Sequence, residues 1–437
     1  MRVDRLTVVN FKGFTSREFQ FHPEFNLLVG ENGSGKTSVL DALSVAIAGW
    51  LLGFRGKPDT RHIRSHEVRL AEIRAGKKRV ATWEAQYPCA IEAAGEVQGE
   101  AVMWRRALNT SGGRTTSGEA RLLRNLAATS DDAVRSGREV LLPLISYYGT
   151  GRLWNVPRET AQVSSRSALA RWAKQSRLAG YRNSVDPRLS VSELVGWIAR
   201  QAWTAFQRGS GPPALYRAVS AAIAGCVEGA KDISYDASLG EVVVDMGVRG
   251  RQPFNNLSDG QRSMLAMVGD IAQKAIHLNP HLESDALRET PGVVLIDELD
   301  LHLHPRWQRH LIEDLRSIFP KIQFFATTHS PFLIQSLRSG EELVMLDGQP
   351  VAELGNKPIE EIARGIMGVA NPQVSARYEE MTEVARHYLE NLERARLTPA
   401  KKLDKLKQKL EESIAPYADN PAYQAFLRMK RVAELGE

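Results

Sequence analysis

The 437-residue sequence predicts an α/β fold that is built around a parallel sheet. Three largely apolar segments, Phe25–Val29, Val293–Ile296 and Ile322–Ala326, are each typical of a strand that is buried on both faces. The first leads through a glycine-rich loop into Thr37–Leu51, an apolar segment that is long enough for a buried helix. A strand, a loop and a buried helix, followed later in the chain by further buried strands, is the pattern of a parallel sheet covered by helices.

Other segments predict additions to this sheet. Alternating apolar side chains over residues 79–87 and 97–106, with a turn at Gly95, predict an antiparallel β arm. Beyond Leu346 the chain is polar and helical, with two apolar stripes: Met381, Val384, Tyr388 and Leu392, then Leu403, Leu406, Leu410 and Ile414. We therefore predict four parts: residues 1–155 and 232–350, which together form one head, a basic helical insertion at 156–231, and a helical tail at 351–437.

Composition excludes several classes of protein. A hydrophobic content of 43% and a charged content of 25% are ordinary for a folded chain, so a wholly disordered protein is excluded. Cys89 and Cys226 are the only cysteines, too few for a disulfide framework or a four-cysteine zinc site. Apolar runs stay below the roughly 18 residues that a membrane span needs, and the first residues lack the long apolar segment of a signal peptide. We expect a cytoplasmic protein with no membrane partner.

The net charge of +6 is concentrated in one stretch, Gly151–Arg208, which carries ten basic and three acidic residues. Aromatic residues are interleaved with the arginines, among them Trp154, Trp172, Tyr181, Trp197 and Trp203. Arginine with aromatic side chains suits phosphate backbones and stacked bases, which would make nucleic acid a partner. The same pattern also fits a solvated helical insertion whose tryptophans form its own core. Both interpretations stay open at this point.

A phosphate-binding loop is predicted at residues 30–37, GENGSGKT, because the motif follows a predicted strand and opens a predicted helix. Glycines let backbone N–H groups wrap phosphates, and the helix N-terminus adds partial positive charge. Lys36 would reach the β- and γ-phosphates of ATP, and the Thr37 hydroxyl would bind Mg²⁺. The candidate nucleotide-binding residues here are Gly30, Asn32, Gly33, Ser34, Gly35, Lys36, Thr37 and Ser38.

Two adjacent acids end the strand Val293–Ile296. Asp297 follows the strand directly, where it would hold Mg²⁺ directly or through water. Glu298 comes next, placed to orient or deprotonate an attacking water molecule. The intact second carboxylate predicts hydrolysis of ATP as well as binding.

Two further motifs accompany these acids. LSDGQR at residues 257–262 places the Ser258 hydroxyl and Gly260 at the start of a predicted helix, which is a favourable place for an anion. TTHSP at residues 327–331 ends another predicted strand, and the parallel order would place His329 beside the phosphate-binding loop, where its imidazole can donate a hydrogen bond to the γ-phosphate. His302, His304 and His310 lack the partners and spacing of a zinc site, so they predict no metal centre.

These four motifs, in this order, resemble the ABC-type ATPase heads of the SMC, RecF and OLD group, and the segment Val9–Phe14 is similar to the opening strand and turn of that group. The resemblance implies an ABC-type P-loop head in which two protomers sandwich two ATP molecules. It implies that Ser258 and Gly260 contact the γ-phosphate held by the opposite protomer and that Asp300 lies in a loop that meets the partner. His329 matches the switch histidine.

Within this group the chain looks similar to compact AAA-21 ATPases, and YYGTGR at 147–152 and DLHLHP at 300–305 resemble PtuA-like ATPases of anti-phage systems. That resemblance implies a head-to-tail dimer, or a higher homo-oligomer, that regulates a separately encoded HNH nuclease. The segment 147–152 occupies the place of the Q-loop but ends without its glutamine. The alternative is a RecF-like repair ATPase that grips DNA itself through Arg152–Arg208.

Overall fold

A computed structural model describes residues 1–56, 58, 60–75, 80–152, 176–189, 191–209, 211–347, 357–369, 371–395, 408, 412 and 421–435. The chain forms two compact units, Met1–Ile362 and Ala363–Glu437. The candidate site residues that the sequence predicts all belong to the first unit.

Fourteen β-strands occur within these described residues: β1 Arg2–Phe11, β2 Phe14–Gln20, β3 Phe25–Val29, β4 Leu70–Ala75, β5 Val80–Ala85, β6 Cys89–Val97, β7 Glu100–Leu108, β8 Leu144–Tyr148, β9 Asp232–Asp236, β10 Glu241–Asp245, β11 Arg251–Pro253, β12 Gly292–Ile296, β13 Ile322–Thr327 and β14 Leu343–Met345.

The same ranges contain eleven α-helices: α1 Lys36–Leu51, α2 Arg121–Arg135, α3 Val191–Arg208, α4 Ala214–Cys226, α5 Asp259–Leu278, α6 Ala286–Glu289, α7 Pro305–Ile318, α8 Pro331–Gln335, α9 Ile359–Gly365, α10 Ala376–Ala395 and α11 Pro421–Leu435. No helix of the described chain combines the length and the apolar character that crossing a bilayer requires.

The centre of the first unit is a five-stranded parallel sheet with the order β14-β3-β13-β12-β8. Every residue of β3, β8, β12 and β13 is buried, which explains why these strands lack the alternation of a half-exposed strand. The prediction of buried parallel strands at Val293–Ile296 and Ile322–Ala326 is therefore confirmed. Helix α1 has thirteen of its sixteen residues buried, as its apolar character on all sides predicts.

Two antiparallel sheets account for the predicted β arm. Strands β2, β1, β6 and β7 form one sheet in that order, and β4 and β5 form a separate hairpin. The two alternating runs therefore lie in different sheets, because alternation fixes which face of a strand is buried but does not choose its partner. The predicted turn at Gly95 is wrong. Gly95 pairs with Val3 inside β6, close to the Arg2 carbonyl, and the turn lies at Gln98–Gly99, where both residues have positive φ.

The described part of the predicted insertion is helical, and a small sheet follows it. A 3₁₀ turn at Arg177–Tyr181 precedes α3 and α4, and the three-stranded sheet β11-β10-β9 follows. Tyr181 and Trp197 are buried. Trp154, Trp172 and the basic residues Arg158, Arg166, Arg171 and Lys174 lie outside the described residues.

The second unit contains α10 and α11. Met381 and Tyr388 of the first predicted stripe are buried on α10, Val384 is half-buried, and Ala385 joins them. The side chain of Leu392 and the second stripe from Leu403 to Ile414 lie outside the described residues. Helix α9 crosses the division between the two units.

Candidate nucleotide-binding site

The predicted site residues gather at one edge of the parallel sheet. The phosphate-binding loop follows β3, Asp297 and Glu298 follow β12, and His329 comes shortly after the end of β13. Because β13 pairs with both β3 and β12, the carboxyl ends of these three strands are neighbours. The sheet order thus brings together residues that are up to 300 positions apart in the chain.

The loop at residues 30–37 has the backbone that a phosphate cradle needs. Gly33 and Gly35 have φ values of +87° and +102°, which favour glycine, and Gly35 ends the loop directly before α1. A Cβ atom on Gly35 would lie 2.6 Å from the ring of Phe14. The Ser34 hydroxyl oxygen is buried and has no hydrogen-bond partner among the described residues. An open donor beside turned amides at a helix N-terminus fits a phosphate group.

Lys36 is held inside this loop. Its Nζ atom donates to the carbonyl oxygens of Gly30 at 2.8 Å and of Glu31 at 3.0 Å. Burial lowers the pKa of Lys36, while the nearby carboxylates, first among them Asp297, act in the opposite direction. The ammonium group therefore lies at the mouth of the cradle, and its hydrogen-bond partners among the described residues are neutral oxygen atoms.

Thr37 and Asp297 form the centre of the site. The Thr37 hydroxyl lies 3.0 and 3.2 Å from the two carboxylate oxygens of Asp297, which is 5% exposed. A hydroxyl and a carboxylate are the oxygen ligands that Mg²⁺ prefers, so this pair fits a magnesium ion that also binds phosphate oxygens. Thr37 and Asp297 are 260 positions apart in the sequence, so motif spacing alone does not show their contact.

Glu298 has a strained backbone, with a φ of +48°. Its N–H donates to the Thr327 hydroxyl at 2.7 Å, and the same hydroxyl donates to Asp297 Oδ1 at 2.6 Å. One threonine at the end of β13 thus fixes both acids at the end of β12. Sequence reasoning noted Thr327 only as part of the motif around His329, because nothing in the sequence shows which strand end it faces.

The Asp300 carboxylate accepts a hydrogen bond from the Thr328 hydroxyl at 2.6 Å. His329, the next residue, is exposed beyond the end of β13. The strand order thus places His329 on the edge that carries the phosphate-binding loop, as the sequence predicts.

Ser258 and Gly260 lie at the start of α5, on a different element from the phosphate-binding loop. Ser258 is the N-cap of α5 and forms a capping box with Gln261, in which each side chain bonds the other residue's backbone N–H. Gly260 is buried, and a Cβ atom there would collide with the carbonyl oxygen of His302. The start of α5 therefore packs tightly on the turn that follows Glu298.

Two contacts of the site were missed by sequence reasoning. Arg152 is 1% exposed and donates to the backbone carbonyls of Asp297 and Glu298. Asp347, after β14, accepts a hydrogen bond from the Glu31 N–H at 3.0 Å. Arg152 follows β8, a buried strand that pairs with β12. Its proximity to the two acids can be recognised only once this sheet order is known.

Two of the three histidines near residue 300 have separate partners. The His304 side chain caps α7 by accepting the Arg306 N–H, and His310 lies 2.5 Å from Asp314. Across the described ranges, no group of three or more histidine, cysteine, aspartate or glutamate side chains is arranged to hold a metal ion.

Two family profiles match this chain. The "AAA domain" profile covers residues 5–196, and a second profile, "AAA domain, putative AbiEii toxin, Type IV TA system", covers residues 140–335. Together they include each motif of the site. Each profile alone covers less than half of the chain, and residues 5–335 are similar to AAA domains. The four motifs of the site meet at one sheet edge and at the start of the helix packed beside it.

Several known proteins are similar to parts of this chain. The "Retron Vc95 probable ATPase" of Vibrio cholerae is 46% identical over 84 residues, 19% of this chain and 16% of the relative. The "Septu protein PtuA" of Bacillus thuringiensis is 31% identical over 141 residues, 30% of this chain and 36% of the relative. The matches thus cover well under half of these relatives' lengths. An SMC head solved with the C-terminal winged-helix domain of ScpA is 16% identical, with a TM-score of 0.44 over 80% of this chain and 96% of that one.

Proposed function

We propose that this protein binds ATP with Mg²⁺ and hydrolyses it to ADP and phosphate. The observation that carries the proposal is the contact between Thr37 and Asp297 at the mouth of the phosphate-binding loop, with Glu298 adjacent. A cradle for phosphates, two oxygen ligands for a divalent cation and a second carboxylate are the parts that phosphoryl transfer to water requires.

Each residue has a role that follows from its position. The amides of Gly33 to Lys36 and the open Ser34 hydroxyl would bind phosphate oxygens, and Lys36 would turn its ammonium group from the loop carbonyls to the β- and γ-phosphates. Thr37 and Asp297 would hold Mg²⁺, which supplies charge neutralisation between the β- and γ-phosphates when bound. Glu298 would accept a proton from the attacking water or orient it, held by the Thr327 hydroxyl.

We further propose that two copies close head to tail around two ATP molecules. Ser258 and Gly260 lie on an element separate from the phosphate-binding loop, and Ser258 is exposed. That position supports their contact with a γ-phosphate held by the other protomer. Asp300 would meet the partner near this contact, and His329 would donate to the γ-phosphate from the end of β13.

Replacing Glu298 by glutamine tests hydrolysis and dimerisation together. We expect Glu298→Gln to lower the steady-state rate of phosphate release by about 100-fold or more, because general-base catalysis typically contributes 10²–10⁴-fold. ATP binding should persist, and an ATP-dependent dimer should accumulate in light scattering. The matched control is Glu341→Gln, at an exposed glutamate away from the site. Unchanged turnover in Glu298→Gln would refute the assigned role.

We propose that this cycle regulates a separately encoded nuclease, of the HNH type, in defence against phage. The support is the similarity to PtuA of the Septu system and to retron ATPases. Co-expression with the product of the adjacent open reading frame tests this idea. A stable complex whose nuclease activity changes with ATP is expected. A neighbour that is no nuclease and forms no complex would sink the proposal.

A second candidate is a RecF-like ATPase that binds DNA without a nuclease partner. One observation favours it: Trp203 and Phe206 stack on each other with ring centroids 5.8 Å apart and are 60% and 77% exposed, beside the exposed Arg208. Exposed aromatic rings with nearby arginine suit nucleic acid. Binding of DNA by the purified protein, weakening steeply with salt, would support this candidate, and absence of binding at low salt would exclude it.

A further inference from the structure

Arg152 has no role in the mechanism above, yet it is among the largest fully buried side chains of the described chain. Its guanidinium group donates four hydrogen bonds. Nη1 bonds the Gly149 carbonyl at 3.2 Å and the Asp297 carbonyl at 2.9 Å, and Nη2 bonds the Glu298 carbonyl at 3.2 Å. Nε bonds the Ser263 hydroxyl at 2.8 Å.

All four of these acceptors are neutral oxygen atoms, although Asp297 and Glu298 each carry a carboxylate nearby. A buried guanidinium without a paired carboxylate is costly, and burial lowers the pKa of Arg152 to about 10. An apolar side chain of similar volume would avoid the cost of burying the charge. The placement of an arginine here therefore calls for a reason in the geometry of its acceptors.

The acceptors join two parts of the proposed mechanism. The Asp297 and Glu298 carbonyls flank the strained position at which the proposed catalytic acid leaves β12. Ser263 lies on α5, within about one and a half turns of Ser258 and Gly260, which we propose to contact the ATP of the other protomer. The planar fork of arginine can hold both sides at once, whereas a lysine ammonium is a single point and cannot reproduce the fork.

We propose that Arg152 is a positioning residue that couples the Glu298 turn to the start of α5. Engagement of Ser258 and Gly260 with one ATP molecule is thereby transmitted to the acid that acts on the other. This inference rests on the proposed function, since it assumes two ATP molecules between two protomers.

Two variants distinguish the contacts of Arg152 with the Glu298 turn from its contact with α5. Arg152→Lys keeps the charge and breaks the fork, and Ser263→Ala removes only the link to α5. We expect Arg152→Lys to lower kcat by about 10- to 100-fold, since a misplacement of about 1 Å costs on that order. KM should stay within about threefold. Ser263→Ala should bring the Hill coefficient for ATP from above 1 to near 1, with kcat lowered by less than in Arg152→Lys.

Arg106→Lys is the matched control for a merely structural effect. Arg106 is fully buried, donates to the backbone carbonyls of Val45 and Arg61, and has a pKa that burial lowers to about 10. We expect Arg106→Lys to lower the Tm without changing the Hill coefficient. The coupling is overturned if the Hill coefficient is unchanged in both site variants, or if kcat falls only in proportion to lost folded protein, as in the control. If Arg152→Lys does not fold, Ser263→Ala decides by the same criterion.

The wild type separates the two proposals. If the wild type turns over ATP and both site variants keep the wild-type Hill coefficient, the coupling is overturned and the proposed function stands. A wild type that binds ATP but releases no phosphate overturns the proposed function, and the coupling with it.

Discussion

The two ends of the basic stretch Gly151–Arg208 differ in what their side chains contact. At the first end Arg152 is buried and bonds backbone oxygens at the sheet edge that carries the phosphate-binding loop, which we call the nucleotide edge. At the other end, on α3, Trp203 and Phe206 are exposed and stack on each other. A basic run in a sequence can therefore include both buried arginines that bond backbone oxygens and side chains that are exposed at the surface. The predictions below test this difference, from the largest expected effect to the smallest.

The largest effect is expected at the nucleotide edge, from Thr327→Val. Valine has a similar shape but cannot accept from the Glu298 N–H or donate to Asp297. We expect kcat to fall by about 100-fold, because Glu298, the proposed catalytic acid, loses its position. The control Thr290→Val changes a buried threonine outside the site that accepts from Asn279. A phosphate-release assay that finds equal rates for the two variants would contradict the role of Thr327.

The next effect concerns a second inward arginine of the basic stretch, Arg177. Its guanidinium donates to the backbone carbonyls of Leu278, at 2.7 Å, and Val140. Arg177→Ala leaves these oxygens without a donor, so the free energy of unfolding should fall by about 2 kcal/mol. The exposed Arg208 is the matched control, and Arg208→Ala should leave urea unfolding unchanged. Equal unfolding midpoints for the two variants would remove the distinction between inward and outward arginines.

Ser258 should give a smaller and separable effect. Ser258→Ala loses the N-cap of α5, which costs about 1 kcal/mol of unfolding free energy. Ser258→Asn retains a capping side chain but lacks the hydroxyl, so its stability should stay near that of the wild type while ATP turnover falls. Full activity in Ser258→Asn would show that the residue is only a helix cap.

The smallest effect is expected at the outer end of α3. Replacing Trp203 and Phe206 together by alanine should change the free energy of unfolding by less than about 0.5 kcal/mol, because both rings are largely exposed. ATP turnover should also stay the same. If DNA binds here, its affinity should fall, which fluorescence anisotropy measures. A large loss of stability would show that these rings are covered in solution.

The nucleotide edge was largely predictable from sequence. The loop at residues 30–37, the acids Asp297 and Glu298 and the motif around His329 are local patterns, and the rule that parallel strands share an edge brings them together. Their convergence needed no knowledge of side-chain packing.

The remaining features depend on contacts between distant segments. Counting charges assigned Arg152 to a solvated or nucleic-acid-binding surface, although it is buried behind Glu298. Thr327 shares its hydroxyl between two acids on another strand. The pairing of β5 and β7 with different strands is likewise set by neighbours that alternation does not specify. Packing between distant segments determines these features, and a local sequence pattern does not specify such packing.

The burial of α1 has a consequence for motion. A helix that is enclosed on nearly every side cannot tilt or slide without disturbing the side chains packed around it. The proposed binding of ATP at the N-terminus of α1 would therefore leave this helix in place, and the proposed closure would move other elements. Amide protons in the interior of α1 should exchange with solvent only through unfolding of the whole unit, with or without nucleotide.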